Sequence, residues 1–377
     1  MAKDVLFEIG AEEIPAGYMP SLLEQFKTMA EAKLAEHRLS FGSIRTLGTP
    51  RRLALLINGV ADASEDLSER HKGPSVQIAY DKDGNPTKAA MGFARGKGVD
   101  VNDLVVEDGY IYAETTTAGV PAMKIFEEVL PQLLTGLSFP KSMHWADRDE
   151  KFVRPVRWLL ALLDTAVVPM EFAGVRASNF SRGHRFLGER GVLVQHPADY
   201  IKAMEDNFVI VDQDKRRAMI SEQLEALAKE HNATIVHDDD LLEEINFLVE
   251  YPTALCGGFA DSYLELPDAA VITPMKDHQR YFPLVDSEGK LLPLFLTVRN
   301  GDSHCLDVVQ AGNERVLRAR LDDAKFFFNE DRKKALAERS EGLKKIVFQE
   351  GLGNLADKTE RLLVLGEEFA EECGLTE

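Results

Sequence analysis

Residues 5–15 read VLFEIGAEEIP, and this stretch sets the fold of the first part of the chain. Residues 5–9 are apolar and β-favouring, as expected for a strand. A helical pattern opens at Pro20, and its apolar stripe is formed by Leu23, Phe26, Ala30 and Leu34. A second β-like run covers residues 52–57. These elements predict an α+β domain over residues 1–150.

The later sequence again mixes helical and β-like patterns. Further helices are predicted at residues 87–95, 155–163, 197–204, 214–231 and 240–249. Further strands are predicted within residues 73–86 as a hairpin, and at 167–172, 209–211, 253–256 and 294–298. From about residue 308 the pattern is helical, with one apolar face formed by Leu317, Leu321, Ala324 and Phe328. We therefore expect an α+β, multi-domain protein with an α+β domain at 151–305 and a helical segment at 306–377.

Composition narrows the possible functions. The chain has 377 residues and is too long for one compact hydrophobic core, because single cores stop growing at roughly 250–300 residues. The formal net charge of −19 repels polyanions, so any nucleic-acid contact must depend on a local cluster of cations. The three cysteines are far apart in sequence and indicate free thiols in a reducing compartment. A signal peptide and a membrane-spanning run are not visible, so we expect a cytoplasmic protein with no membrane partner.

The sequence motifs that mark catalytic and metal-binding sites do not match this chain, because the spacing of its residues differs from theirs. Gly92–Gly98 looks like a phosphate loop but lacks the required gap and hydroxyl, so a turn that closes a helix is the better interpretation. His237–Asp240 has metal-ligating residue types, but Asp240 followed by Glu243 has the spacing of an acidic pair at a helix start. The sequence therefore predicts no catalytic residue, no metal site and no cofactor bound by this chain.

The chain does contain clusters of Arg, Lys and His in turn or apolar sequence. Guanidinium groups fork onto phosphates and aromatic rings stack on bases, so these clusters are candidates for RNA contact. Residues 315–334 hold seven Lys and Arg against four Asp and Glu. The candidate contact residues are Arg51, Arg52, Arg182, His184, Arg185, Lys276, Arg280, Arg318, Arg320 and Lys325. Internal salt bridges and solvated helix faces are the competing interpretation.

Eight segments resemble one family, the beta subunit of the bacterial heterotetrameric glycyl-tRNA synthetase. They run in family order along the chain: Phe7–Pro15, Thr49–Ala54, Phe152–Val156, Arg182–Phe186, Gly312–Val316, Arg320–Lys334, Phe348–Gly353 and Asp357–Arg361. The resemblance implies an N-terminal portion of that subunit, because family members continue into the rest of an HD-like helical domain and an anticodon-binding domain. It also implies that the middle region is similar to the editing-like module of the phenylalanyl-tRNA synthetase beta subunit.

The resemblance implies a division of labour. In this family glycine is activated with ATP and Mg on a separate alpha subunit, whereas the beta subunit binds tRNA(Gly) and holds an alpha2beta2 assembly together. The basic residues above would then contact tRNA phosphates, and His184 or Phe186 would stack on an unpaired base. Two alternatives stay open. The middle region could hydrolyse mischarged tRNA, or the basic clusters could serve only as an intersubunit scaffold.

Overall fold

The structure is a computed structural model that describes residues 2–375. In chain order the strands are β1 (Lys3–Ala11), β2 (Ser43–Thr49), β3 (Arg52–Val60), β4 (Leu67–Ser75), β5 (Val105–Glu107), β6 (Tyr110–Thr117), β7 (Val156–Leu163), β8 (Ala166–Val167), β9 (Glu171–Phe172), β10 (Val175–Ser178), β11 (Phe180–Ser181), β12 (Val192–Leu193), β13 (Thr234–Ile235), β14 (Pro252–Gly258), β15 (Phe282–Val285), β16 (Leu291–Asn300), β17 (Val347–Gln349) and β18 (Gly353–Asn354). The helices are α1 (Met19–Glu36), α2 (Val76–Ala79), α3 (Lys88–Lys97), α4 (Ala122–Gly136), α5 (Tyr200–Glu205), α6 (Gln213–Glu230), α7 (Asp239–Asn246), α8 (Asp268–Thr273), α9 (Leu306–Arg332), α10 (Leu336–Arg339) and α11 (Leu355–Glu372). This mixture confirms the α+β, multi-domain prediction.

The chain divides into two compact units. Unit 1 comprises Met1–Ala226, His237–Ala254 and Val298–His304, and unit 2 comprises Leu227–Val236, Leu255–Thr297 and Cys305–Glu377. The sequence-based domain limits at residues 150 and 305 stay predictions.

Unit 1 is built on a sheet with strand order β2-β3-β1-β7-β10-β9, to which β8 adds by pairing with β7. β1 lies in the centre and is antiparallel to both β3 and β7. One face of the sheet packs against α1 and α4, and the stripe predicted from Leu23 to Leu34 is buried there. The opposite face packs against α5 and the extended segments around Val194 and Val211. Both faces are thus covered, which is why the central strands are almost wholly apolar.

A smaller sheet of unit 1, with two helices packed on it, follows β3 in the chain. Its sheet has the order β4-β6-β5, and α2 and α3 cover one face through alanine-rich contacts. The helix α3 ends at Gly98, which has a φ of +71°, a left-handed conformation that favours glycine. The glycine-rich sequence at 92–98 is therefore the end of a helix, as predicted.

Unit 2 holds a sheet of order β13-β15-β16-β14 and the long helix α9. Leu317 and Leu321 of α9 are buried, and Ala324 and Phe328 pack against the same core, which confirms the predicted apolar face. Beyond α9, the helices α10 and α11 bury none of their own residues. The face of α11 is apolar and exposed at Leu362, Leu363, Leu365 and Phe369.

Three local predictions were wrong. Residues 156–163 form strand β7 and not a helix: successive side chains alternate between the two cores, so a strand buried on both faces gives the same uninterrupted apolar run as a buried helix. Val209 and Val211 are buried in an extended segment outside any strand. The predicted hairpin at 73–86 contains α2 and a single bridge between Tyr80 and Pro86.

Candidate functional site

Unit 1 has a cleft of about 340 Å³ where β1 ends and β3 and β7 begin. The loop of residues 182–190 forms its other wall. Five arginines line it, together with two glutamates and one tryptophan: Arg51, Arg157, Arg182, Arg185, Arg190, Glu12, Glu189 and Trp158. Cations therefore outnumber carboxylates in this cleft, although the whole chain carries a net charge of −19.

A buried carboxylate fixes the arginines at the start of β3. Glu250 is 1% exposed and accepts hydrogen bonds from Thr49 Oγ1 (2.9 Å), Arg51 Nε (3.2 Å) and Arg52 Nη2 (2.9 Å). Burial alone would raise the pKa of Glu250, but the charges of Arg52 and Arg51 outweigh burial and lower it. The carboxylate therefore stays ionised and holds both guanidinium groups in place.

Arg51 and Arg52 differ in how much of each side chain a ligand in the cleft can reach. Arg51 spans from Glu250 to the carbonyl oxygen of Gly183 (Nη2, 2.9 Å) and still lines the cleft. Burial is the main cause that lowers the pKa of Arg51. Arg52 is fully buried, and its guanidinium also donates to Thr49 Oγ1 (3.2 Å) and approaches Met204. No surface of Arg52 reaches the cleft, so we assign it a structural role in place of the expected phosphate contact.

Trp158 forms the floor beneath the arginines. Its ring packs flat across Gly10, where a Cβ atom would lie 1.9 Å from the ring. The indole nitrogen donates to the buried carboxylate of Glu8, which also accepts from Ser181 Oγ at 2.7 and 2.9 Å. The Arg182 guanidinium lies 5.0 Å from the ring centroid, a cation–π geometry. Glycine at position 10 is therefore required for the floor on which Arg182 rests.

The loop of residues 182–190 is closed by two backbone bonds. Gly183 N donates to Glu189 O (2.8 Å) and Gly188 N donates to His184 O (2.9 Å). A Cβ atom at Gly188 would lie 2.5 Å from the carbonyl oxygen of Asn207, so this crossing needs glycine. The loop is therefore a rigid wall of the cleft.

His184 is buried at the base of this loop. Its Nε2 lies 3.1 Å from Asn300 Oδ1, which also accepts from the backbone nitrogens of Glu250 (2.9 Å) and Tyr251 (3.2 Å). Its Nδ1 accepts from Phe186 N (3.4 Å) and Leu187 N (3.3 Å). Burial lowers the pKa of His184, which favours a neutral ring that donates through Nε2. Both ring nitrogens are engaged, so His184 holds the loop, whereas the ring of Phe186 is exposed.

The rim of the cleft is exposed. Phe186 is 85% exposed, and Arg185 beside it is half-exposed. The carboxylate of Glu12 bridges two rim arginines, with Oε2 2.9 Å from Arg185 Nη2 and Oε1 3.4 Å from Arg157 Nε. Arg182 donates to the carbonyl oxygen of Arg157 (3.2 Å), and burial is the main cause that lowers its pKa. The rim thus combines partly exposed cations with an exposed ring.

Of the ten predicted contact residues, four line this cleft, namely Arg51, Arg182, His184 and Arg185, and Arg52 is enclosed behind it. The other five lie in unit 2: Lys276, Arg280, Arg318, Arg320 and Lys325. Sequence reasoning missed Glu12, Arg157 and Glu250. The available signal for Glu250 was a lone carboxylate inside an apolar run at residues 247–251.

In unit 2, Lys276 belongs to a π-helical turn at Pro274–Gln279, and Arg280 caps the end of this turn, where its guanidinium donates to the carbonyl oxygen of Asp277. Arg318 lines a second cleft of about 500 Å³ with Tyr263 and Glu314.

The two remaining candidates lie on α9. Lys325 donates to Ser262 O (3.2 Å), and Arg320 is exposed. Unit 2 therefore presents its cations separately along a helix and a turn.

The His237–Asp240 sequence begins α7, as predicted, but the capping residue is Asp238, whose Oδ1 accepts from Leu241 N at 2.9 Å. In the part of the chain that the structure describes, no group of three or more His, Cys, Asp and Glu side chains is placed to hold a metal ion. Among residues 2–375, no helix combines the length and apolar content needed to cross a membrane.

Comparison with known proteins identifies the family. A family model described as glycyl-tRNA synthetase beta subunit matches residues 5–377. The glycine–tRNA ligase beta subunit of Desulfitobacterium hafniense strain Y51 is 48% identical over 379 residues, which cover 100% of this chain and 55% of that protein. The protein of the same name from Moorella thermoacetica is 48% identical over 366 residues, covering 96% and 53%. This chain thus spans about half the length of these relatives, and it belongs to the glycyl-tRNA synthetase beta subunit family.

Proposed function

We propose that this chain is the tRNA-binding and assembly portion of a glycine–tRNA ligase, and that it orients tRNA(Gly) for a catalyst on another subunit. The supporting observation is the arginine-lined cleft of unit 1, a local excess of positive charge on a chain of net charge −19. A cation cluster of this kind has little use for a protein that repels polyanions elsewhere, unless it meets a phosphate-bearing partner.

The geometry of the cleft suits an RNA strand. Arg51 and Arg182 are held from behind by Glu250 and Trp158, so little conformational entropy is lost when they bind a phosphate. Arg185 and the exposed ring of Phe186 lie at the rim. A guanidinium contacts the backbone of RNA, and an exposed ring stacks on an unpaired base.

The same geometry favours positioning over bond making. A hydrolase of mischarged tRNA needs a general base with a free acceptor near its water. His184 is the histidine of the cleft, and its nitrogens are used by Asn300 and by two backbone amides. The Glu12 carboxylate, another candidate base, has its two oxygens paired with Arg185 and Arg157. Holding the acceptor end in the right orientation contributes to rate on its own, since it makes the transfer effectively intramolecular.

The partners follow from the relatives. Their printed name, glycine–tRNA ligase beta subunit, implies an alpha subunit, and we propose that the alpha subunit activates glycine with ATP and Mg. We further propose an alpha2beta2 assembly for the full-length protein, a cytoplasmic location, and no cofactor held by this chain. The exposed apolar face of α11 suits contact with further polypeptide.

Charge reversal at the cleft tests the RNA proposal. The double variant Arg182→Glu, Arg185→Glu should weaken binding of a tRNA(Gly) transcript on the order of tenfold to a hundredfold. The matched control is Arg95→Glu, Lys97→Glu, which makes the same charge change at two exposed positions on α3. Affinity is measured over a range of salt concentrations, because each phosphate contact adds about 0.9 to the log–log slope.

Three results are distinguishable. Equal affinity of the double variant and the control would refute the cleft as an RNA site. Absence of tRNA binding by the wild-type chain at every salt concentration would favour the scaffold. Deacylation of mischarged tRNA by the chain alone would favour the editing hydrolase. Thermal melting of each variant shows whether a loss of affinity comes from unfolding.

A further inference from the structure

Glu12 lies at the mouth of the arginine-lined cleft and occupies the place where a phosphate would bind. Its two carboxylate oxygens face two different guanidinium groups, Arg185 at 2.9 Å and Arg157 at 3.4 Å. A phosphate group bridges pairs of arginines in the same manner, with one oxygen to each guanidinium. The rim of the cleft therefore already holds an anion from its own chain.

This internal bridge is weak enough to be displaced. The side chains of Glu12, Arg157 and Arg185 are 42%, 52% and 45% exposed. Water screens ion pairs of this exposure, so each changes an equilibrium constant by about fivefold or less. Glu250 contrasts with Glu12, because its carboxylate is buried and bonded to three donors.

The backbone keeps Glu12 beside the cleft after its side chain is displaced. Glu12 N donates to Pro155 O (3.0 Å), and Ala11 N donates to Arg51 O (2.8 Å). These bonds fix the end of β1 against β3 and the start of β7. The carboxylate can rotate toward solvent, but its charge stays near any anion that replaces it. An anionic ligand must therefore break the ion pairs of Glu12, and it is afterwards repelled by the negative charge of Glu12 nearby.

We propose that Glu12 is a built-in competitor for RNA phosphate at this cleft. It holds Arg157 and Arg185 in the unliganded protein, and an incoming strand must displace it. A single small phosphate gains few contacts for that displacement, whereas an RNA backbone also reaches Arg51 and Arg182. Glu12 thus selects ligands that present several phosphates together over isolated phosphate ions. This inference rests on the proposed RNA-binding function and assigns a specificity role within it.

Neutralising Glu12 provides the test. The variant Glu12→Gln should bind a fluorescein-labelled tRNA(Gly) transcript about threefold to twentyfold more tightly, since two exposed ion pairs no longer compete. Inorganic phosphate, added as a competitor, should displace the tRNA more readily from this variant than from the wild-type chain. Glu13→Gln is the matched control, because this substitution also removes one negative charge. The Glu13 side chain is more exposed than that of Glu12, and its Oε1 lies 3.8 Å from Arg185 Nη2.

The outcomes separate this inference from the function on which it rests. If Glu12→Gln and Glu13→Gln bind tRNA equally, or if Glu12→Gln binds more weakly than wild type, the competitor role is refuted. Glu12→Asp keeps the charge but shortens the reach, so if the amide variant folds poorly, tighter tRNA binding by Glu12→Asp than by wild type supports the role and equal or weaker binding refutes it. If Arg182→Glu, Arg185→Glu binds as well as wild type, the proposed function fails instead.

Discussion

The substitution Glu250→Gln should destabilise unit 1 strongly. Glu250 is 1% exposed, and its carboxylate accepts hydrogen bonds from Thr49, Arg51 and Arg52. The amide is nearly the same size and still accepts hydrogen bonds, so the substitution removes charge while leaving the packing almost intact. The two guanidinium groups then remain enclosed without their counter-charge.

The magnitude follows from burial. Removing one partner of a buried ion pair costs about 3–5 kcal/mol, because the remaining charge is left uncompensated. Arg52 cannot reach water without opening the strand pair, since its side chain is fully buried. At the scale of unit 1 this loss corresponds to a fall in melting temperature of about 6–20 °C.

The same pair makes stability depend on pH. The folded-state pKa of Glu250 is lowered from its ordinary value of 4.5. A carboxylate with a lowered pKa contributes its stability in full above the ordinary pKa and loses it as pH falls through the folded-state pKa. Wild-type chain should therefore lose stability below about pH 4.5, and Glu250→Gln should lose less over that window.

Urea denaturation followed by tryptophan fluorescence is the suitable assay. Both tryptophans, Trp145 and Trp158, lie in unit 1, so the signal reports this unit alone. The matched control is Glu243→Gln, whose ion pair with Arg217 is 36% exposed on both sides and should cost less than about 1 kcal/mol. A loss for Glu250→Gln no larger than that of the control would refute the reasoning.

Three further substitutions test other parts of the structure. Gly10→Ala should cost about 1–3 kcal/mol and shift the emission of Trp158, since the new Cβ meets the indole ring; Gly17→Ala, with open space at its Cβ, is the control, and equal stability of the two variants would contradict the packing. His184→Gln should flatten the pH dependence of unfolding between about pH 7 and 5, because burial lowers the folded-state pKa of His184 and its protonation destabilises the wild-type chain as pH falls; an unchanged profile would contradict this. Leu317→Ala should cost unit 2 about 2–5 kcal/mol, measured during urea unfolding by circular dichroism of the whole chain, from which the transition of unit 1 is separated by its tryptophan fluorescence; a loss below about 1 kcal/mol would show that this core is not well packed.

Local sequence patterns were sufficient to predict those helices that have one buried face. α1 and α9 each bury a stripe and expose the rest, so their helical periods are visible in the sequence. β7 was predicted as a helix because it is buried on both faces, which removes the alternation that marks a strand. Its identity depends on pairing with β1, and sequence spacing alone carries no information about that contact.

Prediction of the candidate site from sequence was limited in the same way, because contacts between distant residues could not be predicted. Clusters of Arg and His were visible because their residues are neighbours in sequence, and four of the ten candidates do line one cleft. Their roles were not visible, since burial decides them. Arg51 and Arg52 are adjacent, yet one lines the cleft and the other is enclosed. Both depend on Glu250, which lies about two hundred residues later in the chain.

Two carboxylates with opposite exposure give the cleft its properties. Glu250 is buried, so its ion pairs are strong and hold Arg51 in a fixed position. Glu12 is exposed, so its ion pairs with Arg157 and Arg185 are weak and open to exchange. If Glu12 were buried like Glu250, no phosphate could displace it; if Glu250 were exposed like Glu12, the arginines would lose their fixed geometry. The proposed reversible binding of a polyanion at this cleft therefore depends on both carboxylates, one buried and one exposed.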